Sequence, residues 1–351
     1  MEQKPINTAL CSFGMSGWVF HAPFINVHPG FNLYGVWERT KNLAEEKYPG
    51  IKTFRSLDEL LNDDAVELVV VNTPNATHYD YAKKVLLAGK HVIVEKPFTT
   101  EVSEGEELIE LAASTGKVLS VYHNRRWDSD YRTVSQIVKE NLLGEIVEAE
   151  IHYDRFKQEL SPKVHKETPG RGTGVLYDLG SHLIDQALQL FGMPDAVFAD
   201  ILALRTISKV DDYFEVLLYY PNLRVRLKAT YVAKETVPAT VIHGTKGSFL
   251  KPKADVQEDM LQANISPSIE GWGTEAEEGK GLLNTIKDGV DIREYITSER
   301  GNYMGYYEGV YEAIRNNNLV PVSAEDGLNV IKIIKAAMQS NSEKRVIELL
   351  S

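Results

Sequence analysis

Ile6-Asn7-Thr8-Ala9-Leu10-Cys11-Ser12-Phe13-Gly14-Met15-Ser16-Gly17 is an apolar run that ends directly in a glycine turn and leads into a helical stretch. Residues Ser12 to Gly17 match the strand-turn-helix fingerprint of dinucleotide binding, except that Ser12 stands where the first glycine is usual. The fingerprint has a physical basis. Backbone must approach a pyrophosphate closely, and the following helix must present its first N–H groups to the anion. Gly14 and Gly17 meet that need, with Phe13, Met15 and Ser16 completing the turn, while Ser12 makes its first bend less comfortable. The turn by itself is a weak signal, so its surroundings decide.

From residue 6 to about 123, short apolar runs alternate with helical segments, the pattern of strand-helix units around a parallel sheet. The runs are INTALCSF, FNLYGVWE, ELVVVNTP, HVIVEKP and VLSVYH, several apolar throughout, as strands covered on both faces tend to be. Between them lie SLDELLND, THYDYAKKVLLAG and TTEVSEGEELIELAASTG, the last with Thr100 as cap and Gly116 as stop. Glu38 closes the second run, where a carboxylate accepts hydrogen bonds from the adenosine ribose. Arg39, Thr40 and Lys41 follow it and suit a 2′-phosphate instead. The cofactor is therefore NAD or NADP, with Glu38 tilting the expectation to NAD. Two more strand ends carry polar clusters: Thr73-Pro74-Asn75 with His78, and Glu95-Lys96-Pro97. That edge of an open parallel sheet is where ligands bind. Pro97 restricts Lys96 to extended geometry and is a candidate cis bond, which would aim the ammonium in one direction.

After His123 the rhythm changes. A helix across RWDSDYRTVSQIVKENLLG leads into EIVEAEIHYDRF, AVFADILALR, DYFEVLLYY and LRVRLKATYV, which read as an antiparallel sheet, with a hairpin turn between His243 and Ser248. Residues 255–300 are polar and weakly periodic and are assigned to loops. The expected fold class is α/β: a doubly wound parallel sheet over 1–123, then an α+β domain over 124–351. Ser323 caps an amphipathic helix over about 323–340, expected to pack back on the first domain.

Gly172-Thr173-Gly174-Val175-Leu176-Tyr177-Asp178-Leu179-Gly180-Ser181-His182-Leu183-Ile184-Asp185 carries the chemistry. Asp178 and His182 are four apart and share one face of a helix. Oxidising an alcohol requires a hydroxyl proton to leave as the hydride departs, and imidazole suits that transfer. Asp178 can orient the hydroxyl or hold the imidazole, and Lys96 can donate to the oxygen as it gains alkoxide character. The rival readings are a metal held by Asp178, His182 and Asp185, disfavoured because one histidine and no cysteine stand here, and an Asp-His pair that braces a helix. At the expected domain junction, Asn124 is a candidate for the cofactor and Arg126 for a polyol, while Trp127 is read as packing.

A net charge of −12 disfavours nucleic acid and anionic lipid, leaving small molecules as the expected ligands. MEQKPINTAL has no leader pattern, no run is long enough to span a membrane, and Cys11 is alone, all of which fit the cytoplasm.

The glycine turn, TPN with its histidine, Glu95-Lys96-Pro97, the 172–185 stretch and the SAEDG helix occur in the order of a known group. The chain resembles the glucose-fructose oxidoreductase, inositol dehydrogenase and MocA superfamily over nearly its whole length. HAP at 21–23, VYHNRRWD at 121–128 and LYDLGSHLIDQ at 176–186 look like its scyllo-inositol dehydrogenase branch. The resemblance implies a Rossmann domain, then a domain whose large open sheet builds homodimers or homotetramers. It implies a small polyol, cyclitol or sugar substrate, with Lys96, Asp178 and His182 as catalytic set and His182 as base in oxidation. The alternative that it carries is a non-catalytic dinucleotide-sensing regulator, against which the retention of all three residues speaks.

Overall fold

The computed structural model describes residues 4–349, so the first three residues of the opening segment and the last two of the expected second domain lie outside it. The chain divides into two compact units, Met1–Asn124 with Gln257–Trp272 and Asn302–Leu328, and Arg125–Val256 with Gly273–Gly301 and Asn329–Ser351.

The first unit holds a six-stranded sheet in the order β3-β2-β1-β4-β5-β6, every pair parallel. Its strands are β1 (Ile6–Leu10), β2 (Phe31–Trp37), β3 (Lys52–Phe54), β4 (Leu68–Val71), β5 (His91–Glu95) and β6 (Leu119–Tyr122). Leu68 to Val71 and Val92 to Val94 are fully buried, the two-faced burial that their unbroken apolar run implies. β3 is the strand that the apolar runs do not reveal: three residues at the sheet edge leave no period to detect. The chain order reverses between β1 and β4, which opens the crevice where a doubly wound sheet takes its ligand.

The second unit holds a nine-stranded sheet, β14-β13-β12-β11-β7-β10-β9-β8-β15. The strands are β7 (Ile146–His152), β8 (Ala196–Leu202), β9 (Tyr213–Tyr219), β10 (Arg224–Thr230), β11 (Thr240–Gly244), β12 (Gly247–Lys251), β13 (Gly281–Lys287), β14 (Val290–Ile296) and β15 (Ile347–Glu348). β7 and β10 run parallel and the remaining pairs antiparallel. Strict alternation buries Phe214, Val216 and Leu218 of β9 and Val225, Leu227 and Ala229 of β10. The helix Ser181–Phe191 packs on β7 and β10, burying Leu183, Ile184 and Ala187. The architecture is thus the expected α/β pairing of a doubly wound parallel sheet with a mostly antiparallel one.

Two readings are corrected. Residues 255–300 are not loops throughout: they form a helix, Gln257–Gln262, and the β13–β14 hairpin. β14 is an edge strand with exposed residues on both faces, so it shows little alternation; the Asp288-Gly289 turn, with φ of 53° and 79°, was the legible signal. The cap of the helix Val102–Thr115 is Glu101 rather than Thr100, because Glu101 and Glu104 satisfy each other's backbone N–H groups reciprocally. Gly116 ends that helix at φ 63° as expected. Ser323 and Asp326 form the same reciprocal cap on the helix Ala324–Glu343, which opens in the first unit and closes in the second.

Candidate active site

In the first unit the C-terminal strand ends bring the glycine turn, Thr73 to Asn75, Glu95, Lys96 and Asn124 to one edge of the sheet. The turn is braced from the side. Ser12 donates its amide to Asn72 Oδ1 at 2.9 Å and its hydroxyl to the Asn72 carbonyl at 3.0 Å, and Asn72 Nδ2 returns a bond to the Ser12 carbonyl at 2.9 Å. Of these, the hydroxyl bond is the one that a glycine at position 12 could not make. A Cβ on Gly17 would lie 2.3 Å from the Ser12 carbonyl oxygen, whereas one on Gly14 would meet nothing nearer than Ser12 Oγ at 3.8 Å. The close helix-strand approach and the open space above Gly14 fit a pyrophosphate. We expect Gly17→Ala to cost about 1–3 kcal/mol of stability through the forced clash. Gly14→Ala should leave the melting temperature unchanged and weaken dinucleotide binding, so a paired melting and titration experiment separates the two glycines.

Beneath the turn lies a buried polar chain. Glu95 accepts from Ser16 Oγ, His21 Nε2 lies 3.0 Å from its carboxylate, and Lys96 N donates to its other oxygen at 3.1 Å. His21 Nδ1 meets Tyr307 Oη at 2.8 Å, and Tyr307 and Tyr122 both donate to the Phe20 carbonyl. Burial alone would raise the Glu95 pKa, but His21, Ser16 and the Lys96 charge outweigh it and hold the carboxyl well below its ordinary range. The Lys96–Pro97 bond is cis. His78 is fully buried, its ring nitrogens at 2.8 Å from the Pro97 carbonyl and 2.9 Å from the Thr73 carbonyl. It ties the two ligand-edge loops together from below. Phe13 is buried against Tyr48.

The adenosine end departs from the simplest expectation. Glu38 is buried, and its carboxylate accepts the Ala44 amide at 2.9 Å, capping the helix Leu43–Lys47. Arg55 bonds the Glu38 and Lys41 carbonyls and Asn42, fixing the connecting loop. Arg39, Thr40 and Lys41 remain exposed. The sequence shows the carboxylate at the end of β2; the structure shows which backbone amide it serves.

In the second unit, Leu176–Gly180 forms a wide π-type turn that runs straight into the helix Ser181–Phe191. Asp211 starts it, accepting the Leu176 amide at 2.8 Å; burial raises the Asp211 pKa to about 6 although the amides oppose this. Asp178 and His182 thus sit on successive turns of one helical segment. His182 is buried and lines a cleft with Arg125, His152, Tyr153, Gln186 and Lys253. Asp178 is half-buried and pairs with Lys166 at 2.9 Å. Arg126, assigned to a polyol from the sequence, instead holds Asp185 in a two-pronged ion pair at 2.6 and 2.9 Å, and Arg125 is the arginine that lines the cleft. That pair also commits the Asp185 carboxylate that a metal would have needed.

Several cleft residues were missed. His152 and Tyr153 close an alternating run whose inward face could have been read, but no local pattern marks Lys253, nor Lys166, which pairs with Asp178. His152 lies 3.1 Å from Glu150 and 3.5 Å from Asp154, and these carboxylates raise its pKa against the effect of burial.

Among the described residues no helix is long and apolar enough to cross a membrane. Residues 6–123 match the oxidoreductase family's NAD-binding Rossmann fold, and residues 135–349 its C-terminal alpha/beta domain. Scyllo-inositol 2-dehydrogenase (NADP(+)) IolW of Bacillus subtilis is 40% identical over 344 residues, 98% of this chain and 96% of that protein. YvaA of Bacillus subtilis superposes with a TM-score of 0.96 at 39% identity over the full length of both chains. A Bacteroides fragilis structure gives 0.91 at 46% identity, covering 99% of this chain and 100% of that one. The crevice at the β1–β4 reversal, the open glycine turn and these matches converge: the chain belongs to the Gfo/Idh/MocA oxidoreductase family, with a Rossmann domain that takes NAD or NADP.

Proposed function

We propose that the chain moves a hydride between nicotinamide and a secondary alcohol or ketone carbon of a cyclitol or sugar. One observation carries the reading. His182, a group suited to proton transfer, is buried on the wall of a polar cleft and stands one turn from Asp178 on the same helical segment. Nicotinamide, when bound, supplies the hydride acceptor or donor. In oxidation His182 takes the hydroxyl proton, Asp178 orients that hydroxyl, and the Lys96 ammonium donates a hydrogen bond to the oxygen as it becomes alkoxide-like. The likeness to IolW, a scyllo-inositol dehydrogenase, supports a polyol as substrate. A nicotinamide-absorbance screen over inositols, hexoses and their keto forms should find turnover with at least one of them. Cofactor binding without turnover of any polyol would favour the dinucleotide-sensing alternative.

Against the sequence expectation of NAD, we propose a preference for NADP. The Ala44 amide ties one Glu38 oxygen to the start of the helix Leu43–Lys47, while Arg39 and Lys41 stand exposed at the end of β2, where a guanidinium accommodates a 2′-phosphate. We expect kcat/KM for NADP to exceed that for NAD by about tenfold or more, and Arg39→Ala to abolish the difference. Equal efficiency in the wild type, or a preference that survives Arg39→Ala, would overturn it.

A further inference from the structure

Between residues 153 and 172, in a chain with 38 Lys and Arg against 50 Asp and Glu, five basic residues face three acidic ones. Asp178 attracts Lys157, Lys163 and Lys166. Lys166 pairs with it directly, Lys157 lies over the Tyr231 ring at 5.7 Å, and Arg155 lies over the Tyr153 ring at 4.7 Å while donating to the Tyr153 phenol oxygen at 3.0 Å. The remaining charges in this region are balanced. Lys253 lies between Asp128 and Asp130, Arg125 pairs with Asp128, Arg205 with Asp212 and Glu167, and His152 with Glu150 and Asp154. Arg155 and Lys157 differ. Among the described residues neither has an ion-pair partner; each rests on a neutral aromatic ring.

The crowding is costly. Lys157 and Lys163 are pushed below the ordinary lysine range, first by partial desolvation, then for Lys157 by Arg155 and for Lys163 by Lys166. Like charges kept this close, with Arg155 and Lys157 each resting on a neutral ring, are poised for an anion from outside. An oxyanion there would accept charge-assisted hydrogen bonds from both cations and stand next to the Asp178 that orients the reacting hydroxyl.

We propose that Arg155 and Lys157 hold an oxyanion of the substrate, so that the polyol carries a phosphate ester or carboxylate besides the hydroxyl that reacts. The inference rests on the polyol-dehydrogenase reading of the same site.

The test uses the full chain saturated with oxidised cofactor. Dissociation constants and turnover are measured for glucose 6-phosphate, glucuronate and glucose, with wild type, Lys157→Met and the Arg155→Met/Lys157→Met double variant. At least one charged probe should bind about tenfold or more tighter than glucose, and the tighter of the two identifies phosphate or carboxylate. That advantage should shrink in raised salt, fall in Lys157→Met and vanish in the double variant. Lys157 is exposed, so its single variant preserves the test if the double variant fails to fold. Equal binding of all three probes, or an anion advantage that survives Lys157→Met undiminished, overturns the inference. Turnover of neutral polyols without any anion advantage would defeat it alone and leave the dehydrogenase reading standing. Tight, salt-sensitive anion binding without turnover of any probe would uphold the anion site and count against the dehydrogenase reading.

Discussion

His182→Ala is expected to lower kcat by about 10²- to 10⁴-fold, the usual contribution of a positioned general acid or base. The imidazole is buried in a cleft wall where bulk water is a poor substitute, so another base cannot readily take the hydroxyl proton. The loss should fall on kcat while the cofactor dissociation constant stays close to that of the wild type, because the dinucleotide cradle belongs to the other strand ends. A pH profile distinguishes chemistry from structure. The acid limb of kcat/KM for oxidation should disappear in His182→Ala and in His182→Gln alike. A variant that is slow but keeps the wild-type limb would reduce His182 to a packing residue.

Lys96→Met should lower kcat by about 10²- to 10³-fold, the cost of removing one donor aimed at a developing oxyanion. The backbone on which Lys96 stands is held independently of its ammonium: its amide bonds Glu95, which is fixed by Ser16 and His21, and His78 ties the following Pro97 carbonyl to Thr73. The melting temperature should therefore change little, which makes the kinetic loss attributable to the missing charge. Lys96→Arg keeps a charge and is expected to recover only part of the rate, because a planar fork does not place a single donor where a compact ammonium does. Near-normal turnover in Lys96→Met would remove the residue from the mechanism.

Much of this protein is legible along the chain because its signals are local. The apolar runs ending at Leu10, Val71, Glu95 and Tyr122 are buried on both faces, so hydrophobicity alone marks β1, β4, β5 and β6, while β2 shows the alternation of a strand with one outer face. The glycine spacing follows from one close approach, Gly17 against the Ser12 carbonyl, and Asp178 and His182 are related by helical period. Edge elements were lost for the converse reason. β3 is three residues long and β14 is exposed, so neither imposes a pattern on its residues.

Direction and partnership were decided only by the tertiary structure. Nothing near Glu38 says that its carboxylate caps the helix Leu43–Lys47, and nothing in Arg125-Arg126 says which guanidinium Asp185 captures, 59 residues away. Lys166 meets Asp178 across a segment without any period, and Arg155 and Lys157 converge with them from the chain beyond β7. Side-chain type and period are properties of the chain, and the sequence determined by itself the central strands of the two sheets, the dinucleotide turn and the identity of the candidate acid-base residues. Which cation meets which carboxylate depends on contacts between distant segments, and those exist only once the backbone has closed around them.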